Sequence, residues 1–276
     1  MNTPYVPSDP GPNPNISDAP PWRMVALLAG GFVAVLVVAW LVLGWIGGAI
    51  ATRIPDDVER RLGEVFSVET MQGQDPVSLA ARDHLQDIVD AMATHLPARG
   101  LRYRVVVVDD PAVNAAAVPG GGILVFRGLL DAAESENEIA MVLGHEIAHH
   151  HHRDHLERMG RQVVVGTVLN AIFGGTTGLE QLSRVGTEGF ERKMGRDDER
   201  AADALALELL NATYGHVGGA TDFFERMVHR DGSAALAWLR THPMSTERIE
   251  RIRSTAREHG YRFGRPEPLP DFGAGG

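Results

Sequence analysis

The sequence has no cysteine among its 276 residues, and this absence excludes whole classes of chemistry. Disulfide bonds, thiolate metal ligands and cysteine nucleophiles are all ruled out. The sequence also lacks a basic excess, because 26 Lys and Arg are outnumbered by 36 Asp and Glu, for a formal net charge of −10. Nucleic-acid binding requires a basic surface, so we expect no nucleic-acid partner.

The length and the ends of the chain indicate one large domain with appendages. A hydrophobic fraction of 44% is ordinary for a globular protein and is enough to form a core. Residues 1–21 are rich in Pro, Asn and Ser without a hydrophobic period, which predicts a disordered tail. Residues 260–276 are rich in Pro and Gly and are predicted to form a flexible tail.

One long segment near the N-terminus lacks charged residues. From Met24 to Ala51 the residues are mostly Val, Leu, Ala, Ile and Gly. A helix of this length, at about 1.5 Å per residue, exceeds the ~30 Å hydrocarbon core of a bilayer. We therefore predict a transmembrane anchor over residues 22–52, with membrane lipid as the partner of residues 24–51.

The alternative to an anchor is a cleaved signal peptide, for which Ala49–Ala51 offers a small-x-small site. A signal peptide has an apolar core of roughly 7–15 residues after a basic stretch, so the length favours an uncleaved anchor. Arg23 precedes the span, whereas Arg53, Arg60 and Arg61 follow it, which favours a cytoplasmic domain. We expect a single-pass protein of a bacterial inner membrane. The side of the membrane on which the catalytic domain lies stays open.

The rest of the chain alternates many helical patterns with few strand patterns, which predicts an α+β fold. Glycines at 174, 175 and 178 indicate a loop between two of the helices. The predicted helices are Pro76–Leu96, Ser135–Leu156, Asp197–Asn211, Ala220–His229 and Met244–His259, and the predicted strands are Arg102–Val108 and Ile123–Phe126.

The strongest chemical signal is the motif His-Glu-Ile-Ala-His at residues 145–149, inside a predicted helix. Residues four apart share one helical face, so the imidazoles of His145 and His149 can reach one zinc ion. Glu146 projects beside them and is placed to act as a general base toward water. A surface helix that carries histidines by chance is the alternative. Gly144 would let another element approach the motif closely.

A catalytic zinc site needs a third protein ligand, and Glu199 is the candidate. Asp203 lies four residues later on the same predicted helical face, where it can accept the ring N–H of a ligand histidine. Taken alone, these two residues would fit an ordinary solvated helix face. Together with the His-Glu-x-x-His motif they complete a two-histidine, one-glutamate site.

A third element follows at residues 241–248, Thr-His-Pro-Met-Ser-Thr-Glu-Arg. His242 could donate to the oxyanion that forms on a peptide carbonyl, could act as a fourth ligand that closes the site, or could be structural. Arg248 could anchor this loop. The neighbouring histidines, His150–His152 and His155, are expected to be solvated, although His151 and His155 are spaced to bind an adventitious ion.

The three motifs, in this order and spacing, resemble the membrane-linked gluzincin proteases of the HtpX, BepA and CAAX prenyl endopeptidase type. The resemblance covers roughly residues 75–255 and implies a mostly helical zincin-like metalloprotease domain, which we assign to residues 53–259, with a small β-sheet. It implies one zinc per chain and a sheet edge near Asn114–Val118 that holds an extended polypeptide. The implied residues are His145, His149 and Glu199 as zinc ligands, Glu146 and His242 as catalytic, Asp203 and Arg248 as supporting, and Asn114, Ala115 and Ala116 as substrate-binding.

The chain differs from parts of this group, because it has one span where prenyl endopeptidases have several, and no TPR array follows. We therefore predict a membrane-anchored zinc metalloendopeptidase that cleaves exposed or misfolded polypeptides. The alternative is a catalytically silent chaperone-like or adaptor protein on a protease scaffold. The presence of Glu146 argues against that alternative, and the lack of cysteine argues against a structural zinc protein.

Overall fold

The computed structural model describes residues 11, 21–66, 68–98, 100–173, 195–228, 241–242 and 245–272. Predictions for nearly all of the N-terminal tail, for the glycine-rich loop and for residues 229, 243–244 and 273–276 therefore lie outside the described residues. The chain divides into a unit at Met1–Leu43 and a larger unit at Gly44–Gly276.

The first helix, α1, spans Pro21–Ala51 and has the composition of a membrane span. Its 31 residues reach about 46 Å at ~1.5 Å per residue, longer than the ~30 Å hydrocarbon core. In the smaller unit its apolar side chains are exposed, with Leu27 at 77% and Phe32 at 65%. Among the described residues it is the one helix long and apolar enough to cross a membrane, judged by length and composition.

The larger unit combines helices with one small sheet, which confirms the α+β prediction. Three of its helices, at Asp56–Phe66, Arg127–Ala132 and Asp154–Phe173, were not predicted from the sequence. The helices after α1 are α2 (Asp56–Phe66), α3 (Pro76–Ala93), α4 (Arg127–Ala132), α5 (Glu136–His152), α6 (Asp154–Phe173), α7 (Arg196–Tyr214), α8 (Asp222–Val228) and α9 (Thr246–Glu258), and the strands are β1 (Arg104–Val108), β2 (Ala115–Val118) and β3 (Gly122–Phe126).

The three strands pair in the order β1-β3-β2. β1 runs parallel to β3, with Val106 opposite Leu124, and β2 runs antiparallel to β3, with Ala117 opposite Ile123. Two glycines with positive φ, Gly120 and Gly121, form the tight turn from β2 to β3. Within the described residues β2 therefore forms one edge of the sheet, on the side that faces α5.

Helix α5 lies at the centre of the larger unit and is buried along most of its length. Ser135 caps it, since its side chain accepts a hydrogen bond from the Glu138 N–H. Ile139, Leu143 and Ile147, spaced four residues apart, form an apolar stripe that is fully buried. The predicted close approach at Gly144 is also confirmed, because a Cβ there would lie 3.3 Å from the Cα of Ala206 in α7. These contacts fix α5 against α7.

The helix predicted at Ser135–Leu156 is wrong at its C-terminal end, because α5 ends at His152 and a separate helix, α6, begins at Asp154 after Arg153. This residue has φ 65° and closes α5 by donating its N–H to the carbonyls of His149 and His150. A left-handed conformation costs a non-glycine residue roughly 1–2 kcal/mol. Tertiary contacts offset that cost, since the guanidinium hydrogen-bonds the carbonyls of Thr52 and Ile54.

The C-terminal end of α1 belongs to the larger unit and packs on α6. A Cβ on Gly47 would lie 2.7 Å from the carbonyl oxygen of Gly160, and a Cβ on Gly160 would lie 2.5 Å from the Cβ of Ala51. The two helices therefore meet through small residues and allow no larger side chain there. Because Ala51 is part of this packing, the contact argues against cleavage after that residue.

Residues 260–272 have no regular secondary structure but contact the start of α5. The carbonyl of Glu267 accepts a hydrogen bond from the Glu136 N–H at 3.0 Å. The Glu267 N–H donates to the side-chain oxygen of Asn137 at 2.7 Å. The sequence predicts a flexible tail here, and these contacts attach its first part to the domain.

Candidate metal centre

Helix α5 carries the first three candidate side chains, His145, Glu146 and His149. His145 and His149 lie four residues apart on one face, and both are completely buried. Their Nε2 atoms are 3.0 Å apart, so the two rings point at one place. Glu146 is 1% exposed and lies beside them.

Two further side chains reach the same place from other parts of the chain. Glu199 comes from the first turn of α7, and His242 comes from the short described segment before α9. His242 Nδ1 lies 2.9 Å from Glu199 Oε1 and 3.2 Å from His145 Nε2. One atom from each of His145, His149, Glu199 and His242 lies within 4.8 Å of the others.

These separations fit a bound metal ion. Nitrogen and oxygen ligands at about 2.0–2.1 Å from a tetrahedral zinc ion lie roughly 3.3 Å from one another. The observed contacts range from 2.9 Å between His242 Nδ1 and Glu199 Oε1 to 3.6 Å between Glu199 Oε1 and His149 Nε2. The four residues therefore form a donor set of the correct size for a metal of the zinc type.

Carboxylates hold the outer nitrogens of both α5 histidines. Asp203 Oδ1 lies 3.2 Å from His145 Nδ1, as the sequence predicts. Asp154 Oδ2 lies 2.7 Å from His149 Nδ1, a contact that the sequence analysis missed. Metal-binding histidines usually donate their second N–H to such a partner, which leaves Nε2 as the ligand atom. That rule is the signal that could have drawn attention to Asp154, five residues after His149.

A buried arginine connects Glu199 and Asp203, the two buried acidic residues of α7. Arg248 is 2% exposed, and its Nε and Nη2 donate to Asp203 Oδ2 at 2.9 Å and Oδ1 at 2.7 Å. Its Nη1 lies 2.5 Å from Glu199 Oε2. Burial raises the pKa of Asp203, but Arg248 and His145 outweigh it and lower that pKa overall. Arg248 thus contacts both carboxylates and helps keep Asp203 ionised, a larger role than the loop anchor predicted for it.

The surroundings of the centre keep the Glu199 carboxylate ionised and shift the pKa values of His149 and His242 in opposite directions. Burial opposes ionisation of Glu199, yet His145, His149 and His242 lower its pKa far below the usual range. Burial lowers the pKa of His242, even though Glu199 opposes the shift. For His149, burial lowers the pKa, but hydrogen bonds to Asp154 and Glu199 prevail and raise it to about 9.

The carboxylate of Glu146 is held between the edge of the sheet and His242. Its Oε2 accepts a hydrogen bond from the Ala117 N–H of β2 at 2.7 Å, and its Oε1 lies 3.6 Å from His242 Nε2. This fixes the carboxylate beside the four ligand atoms without making it one of them. A proton acceptor in that position can serve water that is bound at the metal.

The strand β2 brings the sheet edge to the same site. The carbonyl of Asn114 accepts a hydrogen bond from the Phe126 N–H at 3.0 Å. In an antiparallel pair, hydrogen-bonded and non-hydrogen-bonded residues alternate, so the backbone N–H and C=O of the next residue, Ala115, point away from β3. By the same alternation Ala116 is bonded within the sheet. Of the three residues predicted to bind substrate, Ala115 therefore directs its backbone N–H and C=O away from β3, and the whole residue is buried.

A comparison with protein-family models matches residues 80–256, more than half of the chain, to Peptidase family M48. The chain belongs to peptidase family M48. This confirms the resemblance drawn from the three motifs, and it supports a metalloprotease, a hydrolase that depends on a metal ion.

Named metalloproteases are among the relatives of this M48 protein. It is 25% identical to the mitochondrial metalloendopeptidase OMA1 of Saccharomyces cerevisiae, covering 75% of this chain and 64% of that relative. It is 30% identical to the metalloprotease YcaL of Escherichia coli, covering 61% and 67%, and 29% identical to LoiP of the same organism, covering 64% and 71%. The chain thus spans less than two thirds of the yeast relative.

The histidine run of this M48 protein differs from the sequence-based expectation. His150 and His155 were expected to be solvated, but they are 0% and 3% exposed. His151 is partly buried and His152 is exposed, as expected for a residue at the end of α5. The predicted pairing of His151 with His155 is replaced by a cluster of His150, His155 and Glu59 from α2.

Proposed function

We propose that this M48 protein is a zinc endopeptidase, held at a membrane by α1, that cleaves exposed or misfolded polypeptides. The observation that carries the proposal is the convergence of His145, His149 and Glu199 beside the carboxylate of Glu146, all buried. Two imidazoles and one carboxylate are the ligand set of hydrolytic zinc sites. The lack of cysteine agrees with such a site rather than a structural one.

A zinc ion at this site supplies Lewis-acid chemistry, because it polarises a peptide carbonyl and lowers the pKa of water. Glu146 takes a proton from the attacking water as its oxygen bonds to the carbonyl carbon. The same carboxylate then gives the proton to the amine nitrogen when the C–N bond breaks. The Ala117 N–H holds Glu146 in the position that both transfers need.

The polypeptide would bind as an added strand along β2. Ala115 directs its N–H and C=O away from β3, two residues from the Ala117 N–H that holds Glu146. A strand added there gains main-chain hydrogen bonds regardless of its sequence. Such binding requires an extended segment, which favours unfolded or exposed chains over compact ones.

Activity assays test the proposal against a catalytically silent chaperone or adaptor. Glu146→Gln should retain bound zinc and lose hydrolysis of an unfolded protein such as casein. Glu199→Gln should lose zinc itself, and Glu208→Gln, on the exposed side of the same helix, should change neither. Full caseinolytic activity in Glu146→Gln would refute the mechanism, and a metal-bound but inactive wild type would favour the silent alternative.

His242 could be a fourth metal ligand or an oxyanion donor, and the two models predict different effects of its replacement. The sequence favours an oxyanion donor, but the position of Nδ1, 2.9 Å from Glu199 Oε1, supports a fourth ligand that closes the site. If it closes the site, His242→Ala should leave turnover equal or raised. If it donates to the oxyanion, the same change should lower turnover by about 100–1000-fold. A change below about twofold in turnover, with unaltered zinc affinity, would assign His242 a structural role.

A further inference from the structure

A second buried cluster of metal-binding side chains lies outside the M48 metal centre. Glu59 of α2, His150 of α5 and His155 of α6 are 0%, 0% and 3% exposed. One potential ligand atom from each lies within 4.8 Å of the other two. The three residues come from three different helices, so helical periodicity alone does not account for their meeting.

The hydrogen bonds of the two imidazoles orient them as metal ligands. His150 Nε2 lies 2.8 Å from the carbonyl oxygen of Gly122, which can only accept, so Nε2 carries the hydrogen. In the neutral ring Nδ1 then carries the lone pair. His155 Nδ1 has a longer contact of 3.4 Å with the carbonyl of His149, and its Nε2 lies 3.0 Å from Glu59 Oε1.

A hydrogen bond from one ring nitrogen to a carbonyl is typical of histidines that bind metal with the other nitrogen. Such a residue usually donates one ring N–H to a backbone carbonyl or carboxylate and binds metal with the other nitrogen. Both His150 and His155 have a carbonyl on one nitrogen. The buried carboxylate of Glu59 faces His155 Nε2 at 3.0 Å, a separation that either the ring hydrogen or a metal ion bound to both atoms would satisfy.

We propose that Glu59, His150 and His155 bind a second divalent transition-metal ion, with Zn²⁺ as its occupant. Imidazole nitrogens select metals such as zinc over Mg²⁺ or Ca²⁺, which prefer oxygen ligands. Three protein ligands leave one tetrahedral position for a water molecule. The rival occupant of the cluster is a proton, which would make an imidazolium–carboxylate pair.

The position of the cluster gives this ion a structural role. Glu59 lies in the first helix after the anchor, and His150 directly follows the metal ligand His149. Arg153 makes a parallel connection, since it bonds the Thr52 carbonyl and pairs with Asp56. The second ion would clamp residues 52–66 to the end of α5. It does not depend on the chain being a peptidase.

Metal stoichiometry of the full-length chain in detergent tests the proposal. After loading with Zn²⁺ and dialysis, elemental analysis should find about two zinc ions in the wild type by ligand count. The double variant His145→Ala/His149→Ala should hold one, and Glu59→Gln/His155→Asn should also hold one. A wild type with one zinc, or a Glu59→Gln/His155→Asn variant with two, would overturn the second site.

Two controls keep the test decisive. His151→Ala/His152→Ala removes the more exposed histidines and should still hold two ions, whereas the loss of one would place the second ion on the protein surface. If Glu59→Gln/His155→Asn fails to fold, the His145→Ala/His149→Ala variant decides alone. Added Zn²⁺ should raise its Tm as free zinc increases, and added Co²⁺ should give visible absorption of tetrahedral type. A Tm that does not respond to zinc would overturn the proposal.

Discussion

The apparent zinc affinity of the metal centre should rise steeply with pH, because His149 must release a proton before it can bind metal. Burial lowers the pKa of His149, but hydrogen bonds to Asp154 and Glu199 raise it overall, from 6.5 to about 9. In the metal-free chain at pH 7 the ring is therefore protonated on both nitrogens, and zinc competes with that proton.

The size and sign of the effect follow from this pKa. Displacement of one proton changes the apparent affinity about tenfold per pH unit below pH 9, or roughly 100-fold between pH 7 and pH 9. Above pH 9 the dependence should level off. The metal-free fold should respond in the opposite direction, since a raised pKa stabilises it fully below pH 6.5 and this stabilisation is lost as the pH rises through 9.

Competition with a chromophoric chelator, corrected for the chelator's own protonation, measures the affinity across this range. The Glu59→Gln/His155→Asn background restricts the titration to the metal centre. Adding Asp154→Asn should make the dependence on pH shallower, because it removes the charged partner of the imidazolium. A zinc affinity that is flat between pH 7 and pH 8.5 would refute the reasoning.

Three further predictions test the surroundings of the centre. Arg248→Gln removes the positive charge that pairs with the buried carboxylates of Glu199 and Asp203, so the free energy of unfolding should fall by about 3–5 kcal/mol. That corresponds to a Tm lower by roughly 6–20 °C; a shift no larger than that of the partly exposed control Arg253→Gln would contradict it. A chain that begins at Gly44 should leave the membrane fraction with its metal, and one that begins at Arg53 should melt at a lower temperature; equal melting would mean that the end of α1 does not stabilise the domain. Because the sequence has no cysteine, Glu208→Cys reports topology with an impermeant maleimide, and labelling of intact cells would refute a cytoplasmic domain.

The proposed metal ligands from α5 and α7 were visible in the sequence because their spacing lies within single helices. A helix brings residues four apart onto one face, so His145 with His149, and Glu199 with Asp203, are local patterns. The meeting of the two helices follows from tertiary packing, and here the small residue Gly144 was the only local sign of it. The sequence therefore predicts which side chains face the site better than it predicts the contacts between elements.

The contact between Asp154 and His149 could not be derived from helical spacing, because it depends on a distant contact. Asp154 holds His149 only because the chain turns at Arg153, a residue without local preference for the left-handed conformation. That conformation is stabilised by carbonyls about a hundred positions earlier in the sequence, at Thr52 and Ile54. A periodic pattern that continues to Leu156 gives no sign of such a break.

The run of histidines from His149 to His152 also shows that local patterns do not predict the contacts between elements. Four identical residues on a helix fan out by about 100° each, so His149 to His152 face four different environments. On a surface helix most of them would be solvated, and that was the expectation. Because α5 is buried on most sides, His149 faces the metal centre, His150 faces Gly122 of β3, and only His152 is exposed. The chemistry of each histidine is thus decided by what packs against α5, and a second metal site can lie one residue away from the first without any separate motif.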